Sequence, residues 1–199
     1  MKVAAILLAA GQSTRMGRLK GLLPWHGKTL FEHQLHVLET SNLSQIIVVT
    51  GFESRHFLQI AANYSVTAIR NTNYLNGKCA SILTGLQIID KESEAILITA
   101  VDQPTNPIII TKLIEALGKN NAFISVPVNG GKRGHPVLFS AKIMEDLHSI
   151  SEETKGLRNL FQKYHTKVIE VPIHNSLINL NINTPTDYQN ALDLYNAKQ

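Results

Sequence analysis

Leu8-Ala9-Ala10-Gly11-Gln12-Ser13-Thr14-Arg15-Met16-Gly17, with Lys20 and Leu22-Leu23-Pro24 close behind, is the stretch on which the fold turns. It leaves an apolar run, Val3 to Leu8, that reads as a buried strand. Two alanines and a glycine follow, then a small polar loop holding an arginine, a second glycine and a lysine. Small residues let backbone N–H groups approach an anion, and nearby cations neutralise it. The backbone of Ala10 to Ser13 is thus placed to wrap a β- or γ-phosphate. Arg15 and Lys20 are placed to neutralise charge as a pyrophosphate leaves.

The pattern downstream fits a strand of that kind. Gln45–Thr50 and Ala95–Ala100 are further continuous apolar runs, Val66–Arg70 is shorter, and helical spacing lies between them over 29–40, 55–62, 81–89 and 108–117. Strands that are apolar throughout indicate a sheet covered on both faces, hence parallel with crossover helices. The expectation is an α/β chain, doubly wound and mostly parallel, forming one domain over residues 1–199. Later segments predict strands over 122–127, 137–139, 167–172 and 178–182. Helices are expected over 140–147 and 157–164, and a last one starts at Thr184-Pro185-Thr186-Asp187. There Thr184 caps, Pro185 takes the first helical position and Asp187 completes a capping box. Ligands of such sheets lie at the carboxyl ends of strands. Ala9–Gly17, Thr50-Gly51, Asp102-Gln103-Pro104 and Asn181–Thr184 all fall at predicted strand ends.

Bulk properties narrow the function. The 199 residues carry a net charge of +4, but the basic residues are scattered, without the run or aromatic-basic stripe of a nucleic-acid binder. The chain is therefore expected to bind no nucleic acid, and a polyphosphate suits its charge. One cysteine, Cys79, allows no internal disulfide framework, and it reads as a small buried residue near a helix start. The apolar N-terminal run is too short to span a membrane, so a cytoplasmic, membrane-free protein is expected. No G-x-G-x-x-G follows the first strand. Gly27-Lys28-Thr29 misses a P-loop, because the preceding glycine, Gly21, lies one residue too far back.

Asp102, directly after a buried strand, is placed to bind Mg²⁺, which takes one or two carboxylates plus phosphate oxygens and water. Asn183 can add a neutral oxygen; its alternative reading is an Asx-type turn before the last helix. Lys132-Arg133-Gly134-His135-Pro136 presents two cations and an imidazole to an acidic acceptor, or else forms a solvated hairpin tip. The remaining histidines lack metal-site spacing, and no G-x-S-x-G elbow is present.

Together these motifs resemble the nucleotide-sugar-type nucleotidyltransferases, and most closely the MobA/MocA-like branch that attaches CMP or GMP to molybdopterin. The likeness runs through Val48-Val49-Thr50-Gly51, Asn71 to Gly77, Asp102-Gln103-Pro104, Gly134-His135-Pro136-Val137-Leu138 and Asn181-Ile182-Asn183-Thr184-Pro185. It implies a Rossmann-like three-layer α/β/α fold of the nucleotide-diphospho-sugar-transferase type. The implied reaction joins an NTP to a phosphate acceptor with Mg²⁺ and releases pyrophosphate. By that likeness Leu8, Ala9, Ala10, Gly11 and Ser81 hold the nucleotide, and Arg15, Lys20 and Asp102 serve catalysis. Asp102 and Asn183 hold the metal, and Gln103, Arg133 and His135 meet the acceptor. Ala9-Ala10-Gly11 looks like the cytidylyl type, implying CTP, a molybdopterin acceptor and a target molybdoenzyme as partner. GTP, a sugar, isoprenoid or lactyl phosphate acceptor, or a non-catalytic molybdopterin-binding accessory protein, remain as alternatives. The likeness departs at Glu153-Thr154-Lys155-Gly156-Leu157-Arg158, where family members often carry a Gly-Asp pair shortly before the Gly-x-Arg, and at Asn181, where many cytidylyl members carry aspartate.

Overall fold

In the computed structural model, which describes residues 1–196, ten strands and seven α-helices alternate along the chain. The strands are β1 (Val3–Ala9), β2 (Pro24–Trp25), β3 (Lys28–Thr29), β4 (Gln45–Thr50), β5 (Thr67–Arg70), β6 (Ala95–Ala100), β7 (Ile124–Asn129), β8 (Lys132–Arg133), β9 (Val137–Ser140) and β10 (Val168–Pro172). The helices are α1 (Leu30–Glu39), α2 (Ser54–Ala61), α3 (Lys78–Leu86), α4 (Pro107–Lys119), α5 (Met144–His148), α6 (Leu157–Lys163) and α7 (Pro185–Asn196). Eight strands form one sheet in the order β10-β7-β9-β6-β1-β4-β5, with β8 hairpinned on β7; β2 and β3 form a small separate ribbon. The pairings β1 with β4 and β6, β4 with β5, and β7 with β10 are parallel. Only β9 and β8 run antiparallel to their neighbours in this sheet.

The two-residue period of β1 divides its side chains between two cores. Val3, Ala5, Leu7 and Ala9 face one side with Phe31, Leu35, Phe57, Ile110 and Leu113; Ile6 and Leu8 face the other with Ile82, Leu86, Leu147 and Leu160. Helices therefore cover both faces, giving three α/β/α layers. A third cluster, Met16, Trp25, Leu30, Ile182 and Ala191, joins the phosphate-type loop to α7. No helix among the described residues is long and apolar enough to cross a membrane.

Three departures from the expectation have physical reasons. Helix α5 begins at Met144 rather than at residue 140, because the Ser140 side chain first caps a 3₁₀ turn over Ala141–Ile143. No strand forms over 178–182. Asn175 instead caps a 3₁₀ turn, Ser176–Asn179, by accepting the Leu177 N–H, and the chain beyond makes single bonds to two different loops. His135 N–H donates to Ile178 O at 2.8 Å, and Ile182 N–H to Asp102 O at 2.9 Å. Leu177, Ile178 and Ile182 are buried, so the apolar signal was real but belonged to a strap rather than a sheet edge. Helix α3 begins three residues before its apolar spacing suggests, because Gly77 breaks the chain at φ 95° and Glu152 accepts the Cys79 N–H at 2.8 Å. Cys79 is buried at that helix start, and the Thr184–Asp187 capping box forms as expected.

The packing also sets a pH response. His33 on α1 lies against Trp25 and Tyr195, and its buried Nε2 has no partner among the described residues. Burial holds its pKa down at about 4, against a hydrogen bond to the Thr105 backbone that raises it. Between pH 6.5 and 4 the unfolded chain therefore takes up the proton more readily than the folded one, so stability falls as pH drops through that window. His33 alone is expected to cost roughly 2 kcal/mol by pH 5. Denaturant midpoints at pH 7 and 5 should diverge less in His33→Gln than in the parent. Equal divergence would show that His33 does not titrate on unfolding.

Candidate active site

The loop after β1 is shaped by its own backbone. Ser13 and Gly17 take left-handed conformations at φ 56° and 73°, bracketing a 3₁₀ turn over Thr14–Met16. The Ser13 hydroxyl accepts the Lys20 N–H at 3.2 Å, which turns Lys20 back toward the sheet. Among the described residues, the N–H groups of Gly11, Gln12 and Ser13 donate no hydrogen bond to the protein. A Cβ placed on Gly11 would meet nothing within 4 Å, so the loop leaves open space over unengaged donors.

Opposite it, the β6–α4 turn is pinned from beneath. The buried Gln34 of α1 donates from Nε2 to Ala100 O at 3.0 Å and to Gln103 O at 2.9 Å. Asp102 is thereby held at the carboxyl end of β6, beside that of β1. The sheet grows outward in opposite directions from these two strands, so the turn stands at the topological switch point.

Three chain segments meet there on one ammonium. Lys20 Nζ donates to Asp102 Oδ2 at 2.8 Å and to Asn183 Oδ1 at 2.7 Å, and Arg15 Nη2 reaches the same Asn183 oxygen at 3.0 Å. Asn183 is set by the α7 cap, its N–H donating to Asp187 Oδ2 at 3.0 Å. Hydrogen bonds from the Thr184 hydroxyl side and from the Asn183 and Thr184 backbone hold the Asp187 carboxyl below its usual range. The polar atoms gathered here are two cations, one carboxylate and one amide oxygen. Asp102 and Asn183 offer only oxygen, which suits a hard divalent cation that brings phosphate oxygens and water with it.

A cleft of about 420 Å³ opens over this cluster, lined by Leu8, Ala9, Ala10 and Gly11, by Lys20 and Asp102, and by Ser81 on the far wall. The Ser81 hydroxyl accepts from Asn71 Nδ2 at 3.0 Å. A second cavity of about 540 Å³ adjoins it, sharing Lys78, Gln103 and Asn181 as a common wall. Its floor is apolar (Ile82, Ile98, Val137, Phe161), and its rim carries Lys155, Arg158, Glu152 and His135. His135 is half-buried. Burial brings its imidazole pKa down to about 4, with Lys78 adding to the effect and Asp102 opposing it, so at neutral pH it is uncharged. Gln103 is buried, and its Oε1 has no partner among the described residues.

All the sequence-predicted site residues but one border these two cavities or the Lys20 cluster. Arg133 lines neither cavity. It sits on β8 with Nε 2.7 Å from Glu170 Oε1 and its guanidinium over the ring of Phe161, 5.2 Å from the centroid. Sequence reading missed Gln34, whose role depends on a contact 69 residues away, and Lys78, whose meaning lies in where two cavities meet.

The chain matches the family described as MobA-like NTP transferase domain over residues 5–168. It belongs to that family. Molybdenum cofactor cytidylyltransferase of Escherichia coli (strain K12) is 31% identical over 195 residues, covering 97% of both chains. A probable molybdenum cofactor guanylyltransferase of Bacillus mycoides (strain KBAB4) is 24% identical, covering 96% of each. Among solved structures, Rv0371c from Mycobacterium tuberculosis H37Rv superposes with a TM-score of 0.84 at 24% identity, covering 97% of this chain and 98% of the other. The MobA-like chain is a nucleotidyltransferase, built on the nucleotide-sugar transferase fold.

Proposed function

We propose that this MobA-like enzyme, acting as one domain over residues 1–199, transfers CMP from CTP to the phosphate of molybdopterin and releases pyrophosphate. One observation carries the reading: a cleft walled by a glycine-turn loop and its cations opens directly into a second cavity with an apolar floor and a cationic rim. The first suits a nucleoside triphosphate. The second suits a flat heteroaromatic body ending in a phosphate. The Ala9-Ala10-Gly11 loop and the 31% identical cytidylyltransferase support CTP over GTP.

In this reading an oxygen of the acceptor phosphate attacks the α-phosphorus as the bond to the β-phosphate oxygen breaks. Pyrophosphate leaves with the electron pair of that bond. A phosphate nucleophile is already anionic at neutral pH, so the protein positions groups and neutralises charge and has no proton to remove. The free amides of Gly11 to Ser13 receive the triphosphate, and Arg15 and Lys20 turn from Asn183 to its oxygens. Ser81 borders the nucleoside, while Gln103 and the neutral His135 face the acceptor. Asp102 and Asn183 would hold Mg²⁺ together with phosphate oxygens. That ion supplies Lewis-acid neutralisation of the triphosphate when bound.

Pyrophosphate release with CTP, GTP or ATP, in the presence of Mg²⁺ and molybdopterin, tests the proposal. Turnover is expected with CTP at a kcat/KM at least about tenfold above that with GTP, as a single unsatisfied base contact gives. Equal or faster use of GTP would overturn the base assignment. Tight binding of molybdopterin without turnover of any NTP would mark an accessory role for this chain.

A further inference from the structure

Three residues wall both cavities, and of these only Lys78 carries a charge. It opens α3, where a cation is unfavourable to the helix dipole, so the helix gains nothing from it. Lys20 and Arg15 already have partners. The Lys78 ammonium makes no hydrogen bond or ion pair among the described residues. Glu152, the carboxylate on the rim of the second cavity, accepts the Cys79 N–H and caps the same helix. Lys78 is solvent-exposed yet flanked by protein across the cleft. Desolvation there lowers its pKa, while Asp102, Cys79 and Glu152 draw it back up.

We propose that Lys78 holds the acceptor's phosphate at the junction of the two cavities and so selects a phosphorylated acceptor, a role that rests on the reaction proposed above. The transfer must bring a phosphate monoester against a triphosphate, and like charges repel most strongly at the point of contact. A cation is therefore needed between them, on the wall that both cavities share. Lys78 is the unengaged cation at that wall. A single ammonium on a flexible stem suits this task better than a planar fork, because it can follow the phosphate from acceptor to product.

The test uses inorganic phosphate as probe and the full chain, its nucleotide cleft saturated with Mg²⁺ and a non-hydrolysable analogue of whichever of CTP or GTP binds. In calorimetric titration, Lys78→Met is expected to weaken phosphate binding about tenfold, the loss of one charge-assisted contact, while Lys78→Arg stays within about threefold. The nucleotide analogue's Kd, measured without phosphate, should change far less than phosphate binding does in both variants, since the loop amides, Arg15 and Lys20 receive the triphosphate. The melting temperature of Lys78→Met should not fall. Undiminished phosphate binding by Lys78→Met, or no phosphate binding by the parent, would overturn the assignment. A parallel loss of nucleotide affinity would do the same, by giving Lys78 to the triphosphate. With molybdopterin itself, Lys78→Met should raise KM for the phosphorylated acceptor and weaken competitive inhibition by inorganic phosphate, while the dephosphorylated alcohol, which lacks the nucleophile, stays inert with parent and variant alike. Failure of the parent to turn over molybdopterin would defeat the proposed reaction, and the phosphate titration would still decide the role of Lys78.

Discussion

Asp102→Ala is expected to lower kcat by on the order of 10³-fold or more while the protein stays folded. Asp102 is the carboxylate in a cluster that otherwise holds two cations and an amide oxygen. Without it, Lys20 loses its paired carboxylate and the cluster loses the anionic oxygen it offers a divalent ion. The cost to stability is limited by what remains. Lys20 keeps Asn183 Oδ1 at 2.7 Å, and the Asp102 carboxylate and the Lys20 ammonium both retain some exposure. Losing such a partly solvated pair costs about 1 kcal/mol, or roughly 2–4 °C in Tm for a chain of this length. Asp102→Asn preserves shape and a hydrogen bond to Lys20 yet removes the charge, so it should be nearly as inactive as the alanine variant. Steady-state pyrophosphate release beside a thermal melt separates the two effects. Parent-like turnover in either variant would remove Asp102 from the chemistry.

The contrast between Asp102 and Arg133 shows what the sequence can carry. Asp102 follows a run of seven buried residues, Ala95 to Val101, and a carboxylate just past such a strand in a doubly wound sheet stands at the carboxyl edge where ligands bind. Its position was legible from local pattern. Arg133 lay in an equally suggestive loop, but which way its side chain leaves that loop is set by Glu170, which comes 37 residues later on β10. Charge in a motif gives candidates; direction comes from partners that pattern does not reveal. The same holds for α3, whose start is fixed by Glu152, and for the segment 178–182, where apolar residues signalled burial without saying what would take their amides. Continuous strands such as Gln45–Thr50 and Ala95–Ala100 were readable to the residue because short apolar runs rich in β-branched residues fit a strand buried on both faces. Lys78 lies in plain view between Gly77 and Cys79. Two cavities had to exist before a lysine between them could mean anything.

That dependence on the strap over 175–183 makes Gly134→Ala the most damaging single methyl expected in this molecule. A Cβ at Gly134 would stand 2.2 Å from Ile178 O and 2.7 Å from its carbonyl carbon. Both are backbone atoms. The oxygen is already fixed by the His135 N–H at 2.8 Å, so no side-chain rotation relieves the clash. Gly134 N–H is itself bonded to Pro127 O at 2.8 Å, which stops the hairpin side from yielding instead. The strap must move, at a cost of roughly 3 kcal/mol or 6–12 °C in Tm. Its movement also loosens the Ile182 N–H bond to Asp102 O, and with it the placement of Asn183 against Lys20. Turnover should therefore fall well below the melting range, and hydrogen exchange at the Ile182 amide should quicken before that of β1. Gly118→Ala in α4 is the control of opposite sign. Its Cβ would meet nothing within 4 Å on a helical backbone, so it should stabilise by about 0.5–1 kcal/mol and leave activity unchanged. If Gly134→Ala melted with the parent and kept its turnover, the strap would be a passive cover, and the cluster on Lys20 would owe its geometry to β1 and β6 alone.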